Sequence, residues 1–545
     1  MGALLLITGT FSACKDDFSP LNPAVSKPGI AFVALTNSTA VVGTANNAAT
    51  TIQSQLIRYS ASNVSAASSA AITINGLQVG ESIVAIDYRP ATGQLYGLGN
   101  TSRLYQIPIP ASVTATSTTA RLVGGQFSTL LSGTVAGFDF NPTVDRIRIV
   151  TTTGQNLRVN PEDATVAAVD GNLSGGTPAG VVSGAAYTNN ISGATSTVLY
   201  DLDLVNRKLY RQEPPNNGTL VEVGVTGIPA VAATVNGGFD IDPSGVALAV
   251  AGTTLYQINV ETGAATELGL IAIPNSTTGN NGIIGTSIIG IAIPTAPVAY
   301  AVDEANALYY FNTSSPSTAV TKPITGLQAG ENVLGIDFRP FNGQLYALGS
   351  TSRLYTINLG TGAATAVGTV PFTTALAGTS FGFDFNPSAD RIRIVSNTGQ
   401  NLVADPNLGT VTASPNVTFS TGTGTPAVSA SAYSNNFAGT TNTVLFSIDA
   451  ATDRVYRQDA ATGILTSVGA LGVDVDAVNG FDIGIAGTTT NPTAPAVPVA
   501  TGNGIALFTV GTTTRLYNVS IISGVATPGL EFPKKVRGFA IGSGF

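Results

Sequence analysis

The sequence has no histidine, no tryptophan and a single cysteine in 545 residues. Without histidine the commonest metal ligand and the usual general base are missing, and one cysteine makes neither an internal disulfide nor a thiolate cluster. Charge is scarce as well. Lys and Arg number 23 against 31 Asp and Glu, a net charge of −8, and charged residues are 10% of the chain. This acidic balance lacks the positive field that draws in phosphate backbones, so nucleic acid is excluded as a partner. A hydrophobic fraction of 43% is too high for a disordered polymer, and the length exceeds one ordinary domain. What is abundant is glycine, 62 residues, with 29 prolines, which suits short strands joined by turns.

Residues 1–13 (MGALLLITGTFSA) are apolar, too few to span a bilayer and suited to the core of a signal peptide. They run into Phe11-Ser12-Ala13-Cys14, which resembles the lipobox of bacterial lipoproteins, with Phe11 where Leu is usual. The resemblance implies cleavage before Cys14 and lipid attachment to it. Lys15-Asp16-Asp17 is similar to the signal that sends some Gram-negative lipoproteins to the outer cell surface. Residues 14–29, with Pro20, Pro23 and Pro28, read as a semi-rigid tether. The expectation is an outer-membrane lipoprotein on the cell surface, its membrane contact made by the lipid.

The rest of the chain is a duplication. Gly80-Glu81-Ser82-Ile83-Val84-Ala85-Ile86-Asp87-Tyr88-Arg89-Pro90 recurs as Gly330-Glu331-Asn332-Val333-Leu334-Gly335-Ile336-Asp337-Phe338-Arg339-Pro340. Gly137-Phe138-Asp139-Phe140-Asn141-Pro142 recurs as Gly382-Phe383-Asp384-Phe385-Asn386-Pro387, and Asp145-Arg146-Ile147-Arg148 as Asp390-Arg391-Ile392-Arg393. The copies span 30–294 and 297–545. Within each, strands alternate apolar and polar residues between Gly or Pro turns, and a Leu-Tyr pair recurs, as at Leu104-Tyr105, Leu209-Tyr210, Leu354-Tyr355 and Leu516-Tyr517. No helical period is present.

Units of about 40 to 50 residues with four strands each mark propeller blades, and each copy holds about five. Blade one of each copy begins at what would be a second strand, at Ala31 and Ala299. The missing innermost strands are predicted at Ile288–Ile293 and Val536–Ile541, which would close each ring on its own beginning. The reading is all-β, two tandem five-bladed β-propellers; the alternative is one ten-bladed ring.

The run at 330–348, with Gly-Phe-Asp-Phe-Asn-Pro and Asp-Arg-Ile-Arg-Ile-Val-Ser-Asn-Thr-Gly-Gln-Asn after it, resembles the bacterial domain of unknown function 4394, twice over. The resemblance brings no activity with it.

The densest polar cluster comprises Asp139, Asn141, Asp145, Arg146, Arg148 and Asn156, matched by Asp384, Asn386, Asp390, Arg391, Arg393 and Asn401. Two arginines two apart on a strand share a face and could fork onto carboxylate or sulfate groups of an anionic sugar. The competing reading is structural, with turn bonds from Asp and Asn and ion pairs that lock neighbouring blades. Asp87 and Arg89, with Asp337 and Arg339, could pair with that cluster. Asp201-Leu202-Asp203, Asp240-Ile241-Asp242 and Asp474-Val475-Asp476 offer hard oxygens but no full calcium-loop pattern, so no metal and no cofactor is predicted. Tyr187 and Tyr433 could serve a lyase as base or simply pack between blades. No catalytic residue is assigned. The function expected is non-catalytic binding of a polysaccharide or an envelope protein. The alternatives are an extracellular carbohydrate-active or ester-hydrolysing enzyme, and an architectural envelope component. Cys14→Ser should release the protein from membranes, read by fractionation; retention of the unlipidated variant would count against anchoring at this residue.

Overall fold

The computed structural model describes residues 27–42, 49–110, 113–230, 237–274, 287–295, 298–437, 440–484 and 502–542. The expected signal segment 1–13, the expected lipid-anchor residue Cys14 and the expected tether up to residue 26 lie outside the described residues. Among the described residues the chain is all-β, apart from two single-turn 3-10 helices at Pro215–Asn217 and Pro316–Thr318. No helix of the described residues is long and apolar enough to cross a membrane.

The strands of the described residues form ten small sheets of four or five strands, five in each copy. A typical sheet runs Val333–Phe338, Leu345–Gly349, Arg353–Ile357, Ala364–Val367, with successive strands antiparallel. Its last hairpin shows why the local sequence turns. The Asn358 carboxamide oxygen accepts the Thr361 N–H at 2.9 Å, and Gly362 takes a φ of 75° that other residues adopt at a cost.

The two expected closing strands are in place. Ile288–Ala292 pairs with Ala31–Val42, placing Val33 opposite Ala292, and Val536–Ile541 pairs with Ala299–Asp303, placing Ala299 opposite Ile541. Each copy therefore completes its own first sheet with its own last strand.

The innermost strands of the first copy are Ile288–Ala292, Ile83–Tyr88, Val135–Asn141, Gly184–Tyr187 and Gly237–Ile241. Each lies against the next in that order, and the fifth lies against the first. Val536–Ile541, Val333–Phe338, Phe381–Asn386, Val428–Tyr433 and Ala477–Asp482 repeat the cycle in the second copy. These strands approach closely because glycine lines the seams. A Cβ on Gly137 would sit 2.4 Å from the Ala185 Cβ, and one on Gly238 2.5 Å from the Ile291 nitrogen.

The core is distributed between sheet faces. Tyr96, Leu98 and Leu104 of one sheet pack against Phe138, Phe140, Ile147 and Ile149 of the next. Tyr346, Leu348 and Leu354 meet Phe383, Phe385, Ile392 and Ile394 in the same way. At roughly 1.5–3 kcal/mol for each large apolar side chain buried, these seams supply the main driving force.

One feature was not legible in the sequence: three sheets gain a short fifth strand in parallel pairing. Ser174–Gly175 adds to Thr219–Val225, Thr418–Phe419 to Ile464–Ala470, and Ser117–Thr119 to Ile72–Asn75. Each covers an outer sheet edge that would otherwise expose unpaired amides.

Candidate functional site

One position on the innermost strands recurs in every sheet. In the first copy it holds Asp87, Asp139, Ala186, Asp240 and Ala292; in the second, Asp337, Asp384, Ala432, Asp482 and Ala540. Each aspartate reaches across to the next sheet and accepts the backbone N–H one residue beyond the matching position. Asp87 takes that of Phe140 at 2.8 Å, Asp139 that of Tyr187 at 3.0 Å and Asp240 that of Ile293 at 2.6 Å. The second copy repeats this with Asp337 on Phe385 (2.7 Å), Asp384 on Tyr433 (2.8 Å) and Asp482 on Ile541 (2.8 Å).

The geometry gathers three carboxylates at the centre of each copy. One oxygen from each of Asp87, Asp139 and Asp240 lies within 4.8 Å of the others, and Asp337, Asp384 and Asp482 do the same. All six are buried. Burial, joined by the neighbouring carboxylates, holds Asp87, Asp139, Asp337 and Asp384 well above the usual carboxylate range. Asp240 is pushed up to about 7 and Asp482 to about 6, where backbone N–H donors offset part of the cost of burial. Three like charges at this spacing do not ionise independently.

Above the first trio lies a cavity of about 460 Å³ lined by Ile86, Phe138, Phe239, Ile291 and backbone of the five inner strands. In the second copy the matching space is about 10 Å³. Phe381, Arg537 and Phe539 stand there in place of Ala136, Ile289 and Ile291.

The residues singled out from the sequence separate into distinct roles. Of the residues of the densest cluster, only Asp139 and Asp384 belong to the central trios, where they meet Asp87 and Asp337 of the second candidate pair and Asp240, which the sequence offered only as half of an acidic pair. Asn141 and Asn386 close turns, accepting the N–H groups of Thr143 and Ser388. Asp145 is gripped from the preceding sheet by Arg89, at 2.9 Å from Nε and 2.5 Å from Nη2, with Glu162 at 3.2 Å from the same guanidinium. Arg339 holds Asp390 identically, at 2.8 and 2.5 Å. Arg146 and Arg391 each donate to the carbonyl of the preceding aspartate.

Arg148 and Arg393 do not fork outward. Arg148 is buried and donates to Tyr187 Oη, Asn156, Asp170 and Asn216. Arg393 donates to Tyr433 Oη, Asn401, Ser414 and the Ala460 carbonyl. Burial would raise Asp170, but bonds from Arg158 and Arg148 hold it below its ordinary value. The Tyr187 hydroxyl is pushed up by burial despite Arg148, the wrong direction for a base.

Asp201 marks a difference between the copies. It is fully buried, neither carboxylate oxygen has a partner, and burial, opposed in part by Arg148, pushes it up to about 8. In the second copy Ser447 holds that position, with its hydroxyl 2.8 Å from the Gln458 side-chain oxygen. The counterpart oxygen of Gln212 has no partner. Neutral Asp201 carries an O–H, the type of donor that Ser447 supplies.

The second copy has a groove of its own, about 770 Å³, at the seam between the sheets that begin with Phe381–Asn386 and Val428–Tyr433. Asn386, Thr441, Asn442, Arg457 and Thr466 line it. So does Gln458, which is 3% exposed and whose side-chain nitrogen has no partner.

The sequence reading missed Asp240 and Asp482 as partners of Asp139 and Asp384, because it compared acids adjacent in the chain. The usable signal was Gly-Phe-Asp at 137–139, 238–240, 382–384 and 480–482, which recurs between sheets of one copy as well as between copies. Nothing in the sequence marked the groove.

The family of the domain of unknown function DUF4394 matches residues 55–281 and again 307–540. The chain belongs to it. DUF4394 thus occurs here as two tandem copies that cover most of the sequence. No curated protein matches. Among many matching solved chains is the extracellular domain of BT4673 from B. thetaiotaomicron, 11% identical, with a TM-score of 0.23. The match covers 91% of this chain and 66% of that one.

Two outcomes follow from the DUF4394 geometry. Arg89→Met should cost about 3–5 kcal/mol in chemical denaturation, since Asp145 and Glu162 are left buried without their cation, whereas Arg146→Met should cost under about 0.5 kcal/mol. Asp201 keeps its proton in the folded chain up to about pH 8 but loses it near the ordinary carboxylate value when unfolded. Its contribution is therefore complete below about pH 4 and disappears as pH rises through 8. Unfolding free energies at pH 5 and pH 9 should show Asp201→Asn losing less stability than wild type, by at least about 1 kcal/mol.

Proposed function

We propose that this DUF4394 chain is a surface lipoprotein of two five-bladed β-propellers, residues 30–294 and 297–545, anchored through Cys14. It binds a neutral, hydroxyl-rich polymer such as a surface polysaccharide and leaves it chemically unchanged. The cyclic order of inner strands, and the pairing of each copy's last strand with its own first sheet, support two rings over a single ten-bladed one.

The observation that carries the binding reading is the groove of the second copy. Its walls offer Asn386, Ser388, Thr441, Asn442 and Thr466, and the buried Gln458 N–H awaits an acceptor. Amide and hydroxyl groups of this kind exchange hydrogen bonds with sugar hydroxyls one for one. An unsatisfied buried donor gains the most from such a ligand. Arg457 is the one cationic side chain in the lining, too little positive charge for a polyanion. The non-catalytic reading is supported by the commitment of Arg148, Arg393, Asp145 and Asp390 to internal partners.

Binding of the full-length protein to arrayed neutral and anionic glycans tests this. A neutral glycan should bind, should be recovered intact, and should lose at least tenfold in affinity with Asn442→Ala or Thr466→Trp at unchanged melting temperature. Absence of any glycan binding at millimolar concentration, indifference to both substitutions, or release of new reducing ends would each overturn the proposal.

A further inference from the structure

The two carboxylate trios are the strongest unexplained feature of the molecule. Several other acids are matched with cations, Asp145 and Glu162 with Arg89, Asp170 with Arg148 and Arg158, Asp390 with Arg339, and those that are not, such as Asp201 and Glu331, are not gathered in threes. Among the described residues, no Lys or Arg figures among the groups acting on Asp87, Asp139, Asp240, Asp337, Asp384 or Asp482. Six acids in two groups of three are left without a protein counter-charge.

A second observation, independent of the acids, comes from the matched residues Asn190 and Asn436. Asn436 is 6% exposed, its side-chain N–H is donated to Asp482, and its carboxamide oxygen has no partner. Asn190 is fully buried with its nitrogen 3.5 Å from the carbonyl of Ile241, the residue after Asp240, and its oxygen is likewise unpartnered. Each orphan amide oxygen thus belongs to a buried side chain whose nitrogen reaches the third aspartate of the trio or the residue after it. A buried orphan acceptor and a trio of carboxylates without a counter-charge are each costly, and one positive group could satisfy both.

The duplication sharpens the point. Asp201 has become Ser447 and Asp242 has become Gly484, yet all three axial aspartates, both axial alanines and the asparagine stand in both copies. Alanine at the two remaining positions leaves the space that a fourth and fifth side chain would take.

We propose that each copy holds one hard divalent cation of the calcium class at its centre, bound by Asp87, Asp139, Asp240 and Asn190 in the first and by Asp337, Asp384, Asp482 and Asn436 in the second. The donors are all oxygen, the set that calcium takes, and the chain has no histidine and only one cysteine with which to prefer zinc or copper. Calcium suits an enclosed protein cage better than magnesium, which retains most of its water. Each carboxylate keeps its backbone N–H donors, since an oxygen has two lone pairs and the cation needs one. The ion would join three of the five inner strands at their point of closest approach. This site is independent of the polysaccharide groove, so either can fail without the other.

The full-length chain, stripped with EGTA and dialysed, is titrated with CaCl₂, MgCl₂ and ZnCl₂ in parallel, with metal content measured by mass spectrometry. The expected result is two calcium ions per chain and a melting temperature at least about 5 °C higher in millimolar calcium, as binding to the folded state alone requires. Asp139→Asn keeps the acceptor for the Tyr187 N–H and should reduce the stoichiometry to one, and its combination with Asp384→Asn to none. Wild-type protein that takes up no calcium and shows no calcium-dependent melting shift overturns the proposal, whether or not the variants fold. So does uptake of zinc or magnesium in preference, or calcium binding that both substitutions leave unchanged.

Discussion

The bond from an aspartate to the backbone of the next sheet is the interaction on which the architecture depends. An innermost strand has one edge paired within its own sheet and the other facing the neighbouring sheet, where ladder bonding is impossible. Its N–H groups must still be satisfied. Asp87 solves this at one seam by accepting both Tyr88 of its own strand and Phe140 of the next, and Asp240 does so with Ile241 and Ile293. Where alanine replaces aspartate, the N–H one residue beyond the next position is taken by that strand's own aspartate, Ile241 by Asp240 and Tyr88 by Asp87, and Asn190 donates to the Ile241 carbonyl at 3.5 Å. Three aspartates and two alanines share the five positions around each centre.

A second tier of bonds lies further out. Arg89–Asp145 and Arg339–Asp390 tie the turn after one inner strand to the turn after the next. Arg148 links its own sheet to Asn216, and Arg393 links its sheet to Ala460. Such buried pairs add little net stability over apolar contacts of the same shape, but they penalise any misregister of neighbouring sheets heavily. That suits a fold whose sheets are built from similar sequences and could otherwise pair with the wrong neighbour.

Much of this was legible in the chain, and for a definite reason. Strand alternation and Gly turns are local, and the 250-residue shift between Gly80 and Gly330 compares the sequence with itself. The closing strands were legible because Ala31 and Ala299 lacked an inner partner that Ile288–Ala292 and Val536–Ile541 could supply. The site was less so. Arg148 and Asp139 look alike in a list of polar residues, yet one side chain is spent on Asp170 and Asn216 while the other meets Asp87 and Asp240 from two other sheets. Proximity across a seam depends on the cyclic order of sheets, which no short-range pattern encodes. The groove is harder still, since it is bounded by Thr and Asn residues of ordinary loops.

The two copies have diverged according to where each sits in the molecule. They meet through turns of the first copy: the Tyr300 hydroxyl donates to the Ala91 carbonyl at 2.5 Å, Arg89 reaches the Gly343 carbonyl, and Arg121 lies 4.2 Å above the Phe341 ring. The first copy's loop after Tyr187 is drawn into this contact, with Ser192 3.2 Å from the Tyr300 hydroxyl and Gly193 so close that a Cβ would fall 2.3 Å from the Tyr310 ring. The matching segment of the second copy supplies Thr441, Asn442 and Thr443 to the groove. One copy's seam is thus used for docking while its counterpart faces a cavity. The axes diverge in the opposite sense, open in the first copy and filled by Phe381 and Phe539 in the second. The duplicated halves are thus inequivalent: the copy whose lateral seam is occupied retains central space, and the copy whose centre is filled retains the lateral groove.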